Sequence, residues 1–342
     1  MPELRRRPGR RAGSIALAAL AAAFAAALAA LPAALAAQPL LSLPIRCTLG
    51  EDCFVQNYVD RDPGPGRRDH ACGHLSYNGH RGTDFRVLDL AQMARGVPVL
   101  AAAAGTVAAV RDGEPDVSMR ERDAASLAGR EAGNGVRITH GDGWETQYSH
   151  LKRGSVRVRV GQQVAAGEEL GLVGLSGKTE FPHVDFVVRH HGEIVDPFAP
   201  SAGTACGPQP RTLWRPEFAD ELRYRPVGLL LAGWVGEEAE RGKAERGEYR
   251  DPVGPRAPVL AFFFEVFGPR VGDREVVELI APSGRIFARR DTPMDRSVAV
   301  RFGYVGKRRG DDEWASGTYV ARYRLERDGV VILSATRELD LR

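Results

Sequence analysis

From Gly96 onward the chain is built of short runs rich in Val, Ile and Thr, each closed by a glycine-containing turn. Runs of about four to eight such residues between turn signals read as strands. They fall at 97–100, 105–110, 136–140, 144–150, 156–160, 170–173 and 183–189. Gly141-Asp142-Gly143 closes a hairpin between the third and fourth. Residues 96–99 and 161–164 echo one another, as repeated β units would. The charged stretch 111–131 has no β pattern and reads as a surface loop with one helical turn near 120–127. A second series follows at 229–231, 259–267, 274–280, 298–304, 317–324 and 330–334, with hairpin turns at Pro282-Ser283-Gly284 and Asp328-Gly329. Phe262-Phe263-Phe264 reads as sandwich core, and the charge run 237–251 as a solvated loop. The expected fold class is all-β: a small antiparallel domain followed by an immunoglobulin-like β-sandwich.

The first residues are of another kind. Five arginines precede an uncharged, Ala- and Leu-rich run from Ala12 to Ala37. The run is long enough to span a bilayer, but Pro32 and the small-residue site Ala34-Leu35-Ala36 favour a cleaved secretory signal peptide. The expected organisation is a signal peptide at 1–36, a loop-rich extension at 37–79, a first β domain at 80–200, a linker at 201–221 and the sandwich at 222–342. No stable membrane span is expected after cleavage. The protein is then exported, periplasmic or extracellular. Residues 1–36 carry five Arg and one Glu, which leaves 42 basic and 43 acidic residues in the remainder. Such a balance excludes a nucleic-acid partner read from charge. Four cysteines, Cys47, Cys53, Cys72 and Cys206, form an even set that favours disulfides in an exported chain. Three connectivities are open. Asp69-His70-Ala71-Cys72-Gly73-His74 imitates a metal cluster, but oxidation outside the cytoplasm would consume its thiol.

Three polar segments interrupt the strand-like sequence: His80-Arg81-Gly82-Thr83-Asp84, Tyr148-Ser149-His150-Leu151 and His183-Val184-Asp185. His80 and Asp84 can converge on one ion around the Gly-Thr bend. His183 and Asp185 stand at i and i+2 of a strand and share a face. His150 ends a strand that can lie beside them. A catalytic zinc takes three ligands from His, Asp or Glu and lowers the pKa of a water to about 7. His140, His190 and His191 sit at turns and read as ordinary surface or core histidines, and Tyr148 is either core or substrate-facing.

The order and spacing of these segments resemble the lysostaphin-type (LytM) peptidoglycan metallopeptidases over about residues 75–200. The Gly-Xaa-Pro-Val and Gly-Thr-Val strands and Gly174-Leu175-Ser176-Gly177 share that resemblance. It implies one Zn²⁺ held by His80, Asp84 and Asp185, with His183 as general base and His150 stabilising the oxyanion. It implies cleavage of peptidoglycan peptide cross-links. Asp185 stands where the family has histidine. That opens an alternative: a catalytically degenerate module that binds cell wall or regulates another wall hydrolase, with a cell-envelope protein as partner. Another divalent metal, such as manganese, is a second consequence. A third reading makes the sandwich an adhesive or carbohydrate-binding domain.

Overall fold

The first ten strands of the computed structural model are β1 (Cys53–Asn57), β2 (Thr83–Val87), β3 (Pro98–Leu100), β4 (Gly105–Arg111), β5 (Asn134–Thr139), β6 (Trp144–Leu151), β7 (Gln163–Val164), β8 (Glu169–Leu172), β9 (His183–His190) and β10 (Glu193–Val195). Residues 38–201, 203–208 and 211–342 are described, so the leader expected at 1–36 lies outside them. Among the described residues no helix is long and apolar enough to cross a membrane.

An antiparallel sheet runs β1-β2-β9-β6-β5-β4-β7, with β10 paired to β9, and β3 pairs with β8 alongside. The sequence alternation becomes an alternation of faces. On β9, Val184, Phe186 and Val188 enter the core, while His183, Asp185, Val187 and Arg189 line an open groove. Each of those three apolar side chains contributes about 1.5–3 kcal/mol by burial. On β2, Phe85 and Val87 do the same beneath Asp84. Leu41, Ile45, Leu213 and Trp214 cover this core from outside the sheet, and Leu41 bridges to Trp214.

One strand expectation fails here. Residues 156–160 alternate but form no strand. Arg157 N–H donates to the Leu170 carbonyl at 3.0 Å, and the segment then turns at Gly161, whose φ is +83°. The loop-rich extension 37–79 also supplies the edge strand β1. All five of its residues are buried, so it shows no alternation to read. Disulfides Cys47–Cys53 and Cys72–Cys206 tie the extension down, and no thiol is left for the cluster around Cys72. The helical turn expected near 120–127 is found as two 3₁₀ turns, Met119–Glu121 and Ala124–Leu127.

The second half holds β11 (Gly228–Val235), β12 (Val259–Phe267), β13 (Arg274–Ile280), β14 (Ile286–Pro293), β15 (Val300–Arg308), β16 (Gly317–Arg327) and β17 (Val330–Leu341). They form two antiparallel sheets, β11-β12-β15 and β14-β13-β16-β17. Phe262, Phe264 and Val266 of one meet Val277, Leu279, Tyr323 and Leu325 of the other. The fourth strand pairs with the third, whereas in an immunoglobulin constant domain it joins the opposite sheet. Phe263 turns away from this core. It packs with Ala239 and Ala244, so the run 237–251 is partly folded onto the sheet, around a short helix α2 (Arg241–Glu245). The other short helix, α1 (Leu90–Arg95), is capped by the Asp89 side chain, which accepts from Gln92 N–H. Residues 39–342 form one unit, and Phe54 of β1 meets Phe267 of β12 edge-on at 5.5 Å.

Candidate functional site

β2 and β9 are antiparallel neighbours in a register that sets Asp84 directly opposite Asp185. Like charges in that position repel and destabilise a sheet. His80, just before β2, lies over both: its Nε2 is 3.1 Å from Asp84 Oδ1 and 3.9 Å from Asp185 Oδ1. The three residues offer ligand atoms that all lie within 4.8 Å of one another. Gly82 makes the approach feasible. A Cβ at that position would come within 1.8 Å of Asp185 Oδ1.

Each imidazole is aimed by its far nitrogen. Nδ1 of His80 donates to the Tyr58 carbonyl at 2.9 Å, Nδ1 of His183 to the Phe181 carbonyl at 2.9 Å, and Nδ1 of His150 to the Ser176 carbonyl at 2.7 Å. A carbonyl only accepts, so Nδ1 carries the proton and Nε2 is left to the groove. Asp84 is fixed similarly: Asn57 Nδ2 donates to Oδ2 at 2.7 Å, leaving Oδ1 toward His80 and His183.

His150 reaches the groove by an irregularity. Strict alternation after the buried Tyr148 would turn it into the core. A register shift between β5 and β6 and a φ of +64° at His150 turn it outward. Such a backbone costs about 1–3 kcal/mol in a non-glycine residue. The His150 and His183 rings then lie 4.8 Å apart. Tyr148 is core: its hydroxyl accepts from Ala102 N–H at 2.7 Å.

The electrostatics follow the geometry. Burial opposes charge on His80, but Asp84 outweighs it, helped by Asp185 and the Tyr58 carbonyl, and His80 is pushed up to about 9. Asp84 is likewise penalised by burial, yet His80 and His183 hold it well below the usual carboxylate range. Asp185 is pushed up to about 6, first by burial and then by Asp84. His183 is raised because Asp84 overcomes its burial. His150 falls to about 3, through burial and then the charge of His183. Asp185 Oδ1 is buried without a hydrogen-bond partner. An oxygen left wanting, two opposed carboxylates and an oriented imidazole fit a divalent cation.

The groove has a volume of about 650 Å³. Met119 and Glu131 from the charged insert form one wall, with Met119 N–H donating to the Thr179 carbonyl at 2.8 Å. Tyr77 forms another and stacks on His80 at 4.3 Å. Among the remaining histidines, His140 bonds Ala104 and Thr146, and His190 stacks on Trp144 at 4.1 Å. Asn57, Tyr58 and Phe181 were not readable as site residues, since two act through backbone carbonyls and Asn57 sits in a segment without periodicity.

Residues 78–197 match peptidase family M23. The chain is 34% identical over 106 residues to the cell division protein DipM of Caulobacter vibrioides, covering 31% of this chain and 15% of that one. It is 32% identical over 117 residues to the peptidoglycan DD-endopeptidase ShyA of Vibrio cholerae, covering 34% and 22%. The chain thus spans under a quarter of the length of these relatives. A zinc-containing peptidase from Vibrio cholerae, solved by crystallography, aligns over 42% of this chain and 39% of its own at 27% identity and a TM-score of 0.27. β1 and its Asn57, the hydrogen-bond partner of Asp84, lie before the matched residues 78–197.

Proposed function

We propose that this chain is a zinc-dependent endopeptidase that hydrolyses the peptide cross-links of bacterial peptidoglycan outside the cytoplasm. The observation that carries the reading is the pair Asp84–Asp185, set opposite one another under His80 with one buried oxygen unpartnered. His80, Asp84 and Asp185 would hold the cation. When bound, zinc supplies Lewis acidity toward a water and a carbonyl. The M23 relative that acts on peptidoglycan supports the substrate class, and the two disulfides support export. We assign catalysis to residues 80–200 and a separate sandwich to 222–342.

His183, anchored at Nδ1, presents Nε2 to the groove and takes a proton from the attacking water. His150 faces the same space and stabilises the oxyanion. A specific observation favours a second reading with these roles exchanged. His150 is neutral, with its proton on Nδ1, so its Nε2 accepts a proton and has none to give. His183, with a raised pKa, is then the donor. His150→Gln separates the two. Its amide still donates, so activity largely survives in the first reading and is lost in the second.

The test of the function itself is metal analysis of the full chain and of Asp185→Ala, each assayed on purified peptidoglycan. About one zinc per chain, lost together with cleavage in the variant, is the expected result. A parent chain with neither metal nor cleavage would make the protein a degenerate wall-binding or regulatory module.

A further inference from the structure

Arg86 lies two residues beyond Asp84 on β2, opposite His183 in the register. It is only 2% exposed. Its Nη1 donates to Gln56 Oε1 at 2.7 Å. Its guanidinium sits 4.8 Å from the centre of the Phe181 ring. Phe181 is the residue whose carbonyl holds His183 Nδ1, and its ring lies 4.7 Å from the His183 ring. So Arg86 grips the residue that aims His183.

The counter-charge for Arg86 comes from the other half of the chain. Glu265 on β12 is fully buried, and its Oε2 is 3.8 Å from Arg86 Nη2. Its Oε1 accepts from Arg241 Nη2 at 3.1 Å. Arg241 pairs with Glu245 at 2.8 Å. Glu245 lies 4.0 Å from Arg120 of the charged insert, and Arg120 pairs with Glu180 at 2.6 Å, beside Phe181. The ion pairs therefore leave β2, cross the sandwich sheet and return to the loop that carries the Phe181 carbonyl. They surround a cavity of about 210 Å³ that shares Gln56, Glu180, Phe181 and Ala299 with the groove wall. A charge buried this deeply is held only by a partner and by hydrogen bonds. Without Glu265, Arg86 loses the carboxylate that keeps it under Phe181.

We infer that Arg86 and Glu265 are positioning residues: the C-terminal sandwich fixes the His183 imidazole through Glu265, Arg86 and Phe181, and is a working part of the active site. The inference rests on the proposed peptidase reading for its kinetic consequence, though not for its structural one.

The experiment uses the zinc-loaded full chain. Glu265→Gln keeps the side-chain shape and removes the charge. Two quantities are read: the hydrogen-bonded His183 Nδ1–H resonance by proton NMR, and turnover of soluble cross-linked peptidoglycan fragments. The expected result is a resonance lost to fast exchange, a kcat lowered about tenfold or more, a KM within about twofold and unchanged zinc content. Arg86→Lys, which keeps the charge without the planar fork, should recover part of the kcat lost in Arg86→Gln. The double variant Arg86→Gln/Glu265→Gln should fall no further than Arg86→Gln alone. A folded Glu265→Gln protein with the parent's resonance and kcat overturns the inference. Where Glu265→Gln does not fold, Phe181→Leu replaces it, removing the ring above Arg86 and keeping the carbonyl. The same losses are expected, and their absence overturns the inference equally. A parent chain that binds zinc but cleaves nothing overturns the peptidase reading alone, and the NMR comparison still decides this one.

Discussion

Glu275 on β13 and Asp185 on β9 each hold a carboxylate oxygen withdrawn from water, one in each half of the molecule. Around Glu275 the donors are complete: Arg301 reaches both oxygens, at 2.9 and 3.0 Å, and Arg290 reaches Oε1 at 3.3 Å. Asp185 faces a second carboxylate, and its Oδ1 has no donor at all. At Glu275 the sandwich neutralises a buried charge with its own arginines. The groove leaves its charge incomplete. A satisfied buried carboxylate holds structure together, and an unsatisfied one beside oriented imidazoles is where an external cation gains most.

Substitutions should separate the two. Asp84→Ala should abolish zinc binding and lower turnover by about a thousandfold or more, about 4 kcal/mol in the barrier, and in the chelator-treated protein it should also remove the stability that pairing with His80 supplies near neutral pH. Activity that survived this change intact would remove the groove from the contrast. Glu275→Ala should strand Arg290 and Arg301, cost about 3–5 kcal/mol in urea unfolding, and leave zinc content as in the parent.

A third prediction concerns pH. His80 is pushed up to about 9 in the fold, against about 6.5 for a free imidazole. A raised pKa stabilises below the unfolded value, and that stability is lost as pH climbs through the folded value. The metal-free protein should therefore weaken between about pH 6.5 and 9, by on the order of 3 kcal/mol. Zinc takes a neutral imidazole, so the zinc-loaded protein should lack this loss. Melting temperatures across that range, with and without chelator, check it, and parallel curves would refute it.

The smallest effect should come from Asn57→Ala. Partners of ligands are worth about ten- to a hundredfold in metal affinity. Competition with a chromophoric chelator measures this, and an unchanged affinity would show that Asp84 needs no help from β1.

Spacing made part of the site legible. His80 with Asp84, and His183 with Asp185, follow from a bend and from strand periodicity, and the register brings the pairs together. His150 was readable as a candidate, but its direction was not, because a bulge and a left-handed backbone undo the alternation after Tyr148. Asn57 was hidden because β1 is buried on both sides and shows no period. Residues 156–160 show the opposite error, a period without a ladder. The link from Arg86 to Glu265 joins two residues far apart in the chain, each an unremarked charge in a strand, and only the packing of β12 against β2 reveals it. In the sandwich the strands were legible from their turns, but not the pairing of the fourth strand with the third, which no local pattern encodes.

The edge strand β1 bears on how this protein can be handled. The family match begins at residue 78, after β1 has ended. A fragment cut to that match would expose the outer rim of β2, with main-chain donors and acceptors ready to recruit a neighbour's strand. It would also lose the amide that steadies Asp84. Such a trimmed fragment is expected to be sticky and poorly metallated, and its weakness would be wrongly blamed on the aspartate at 185.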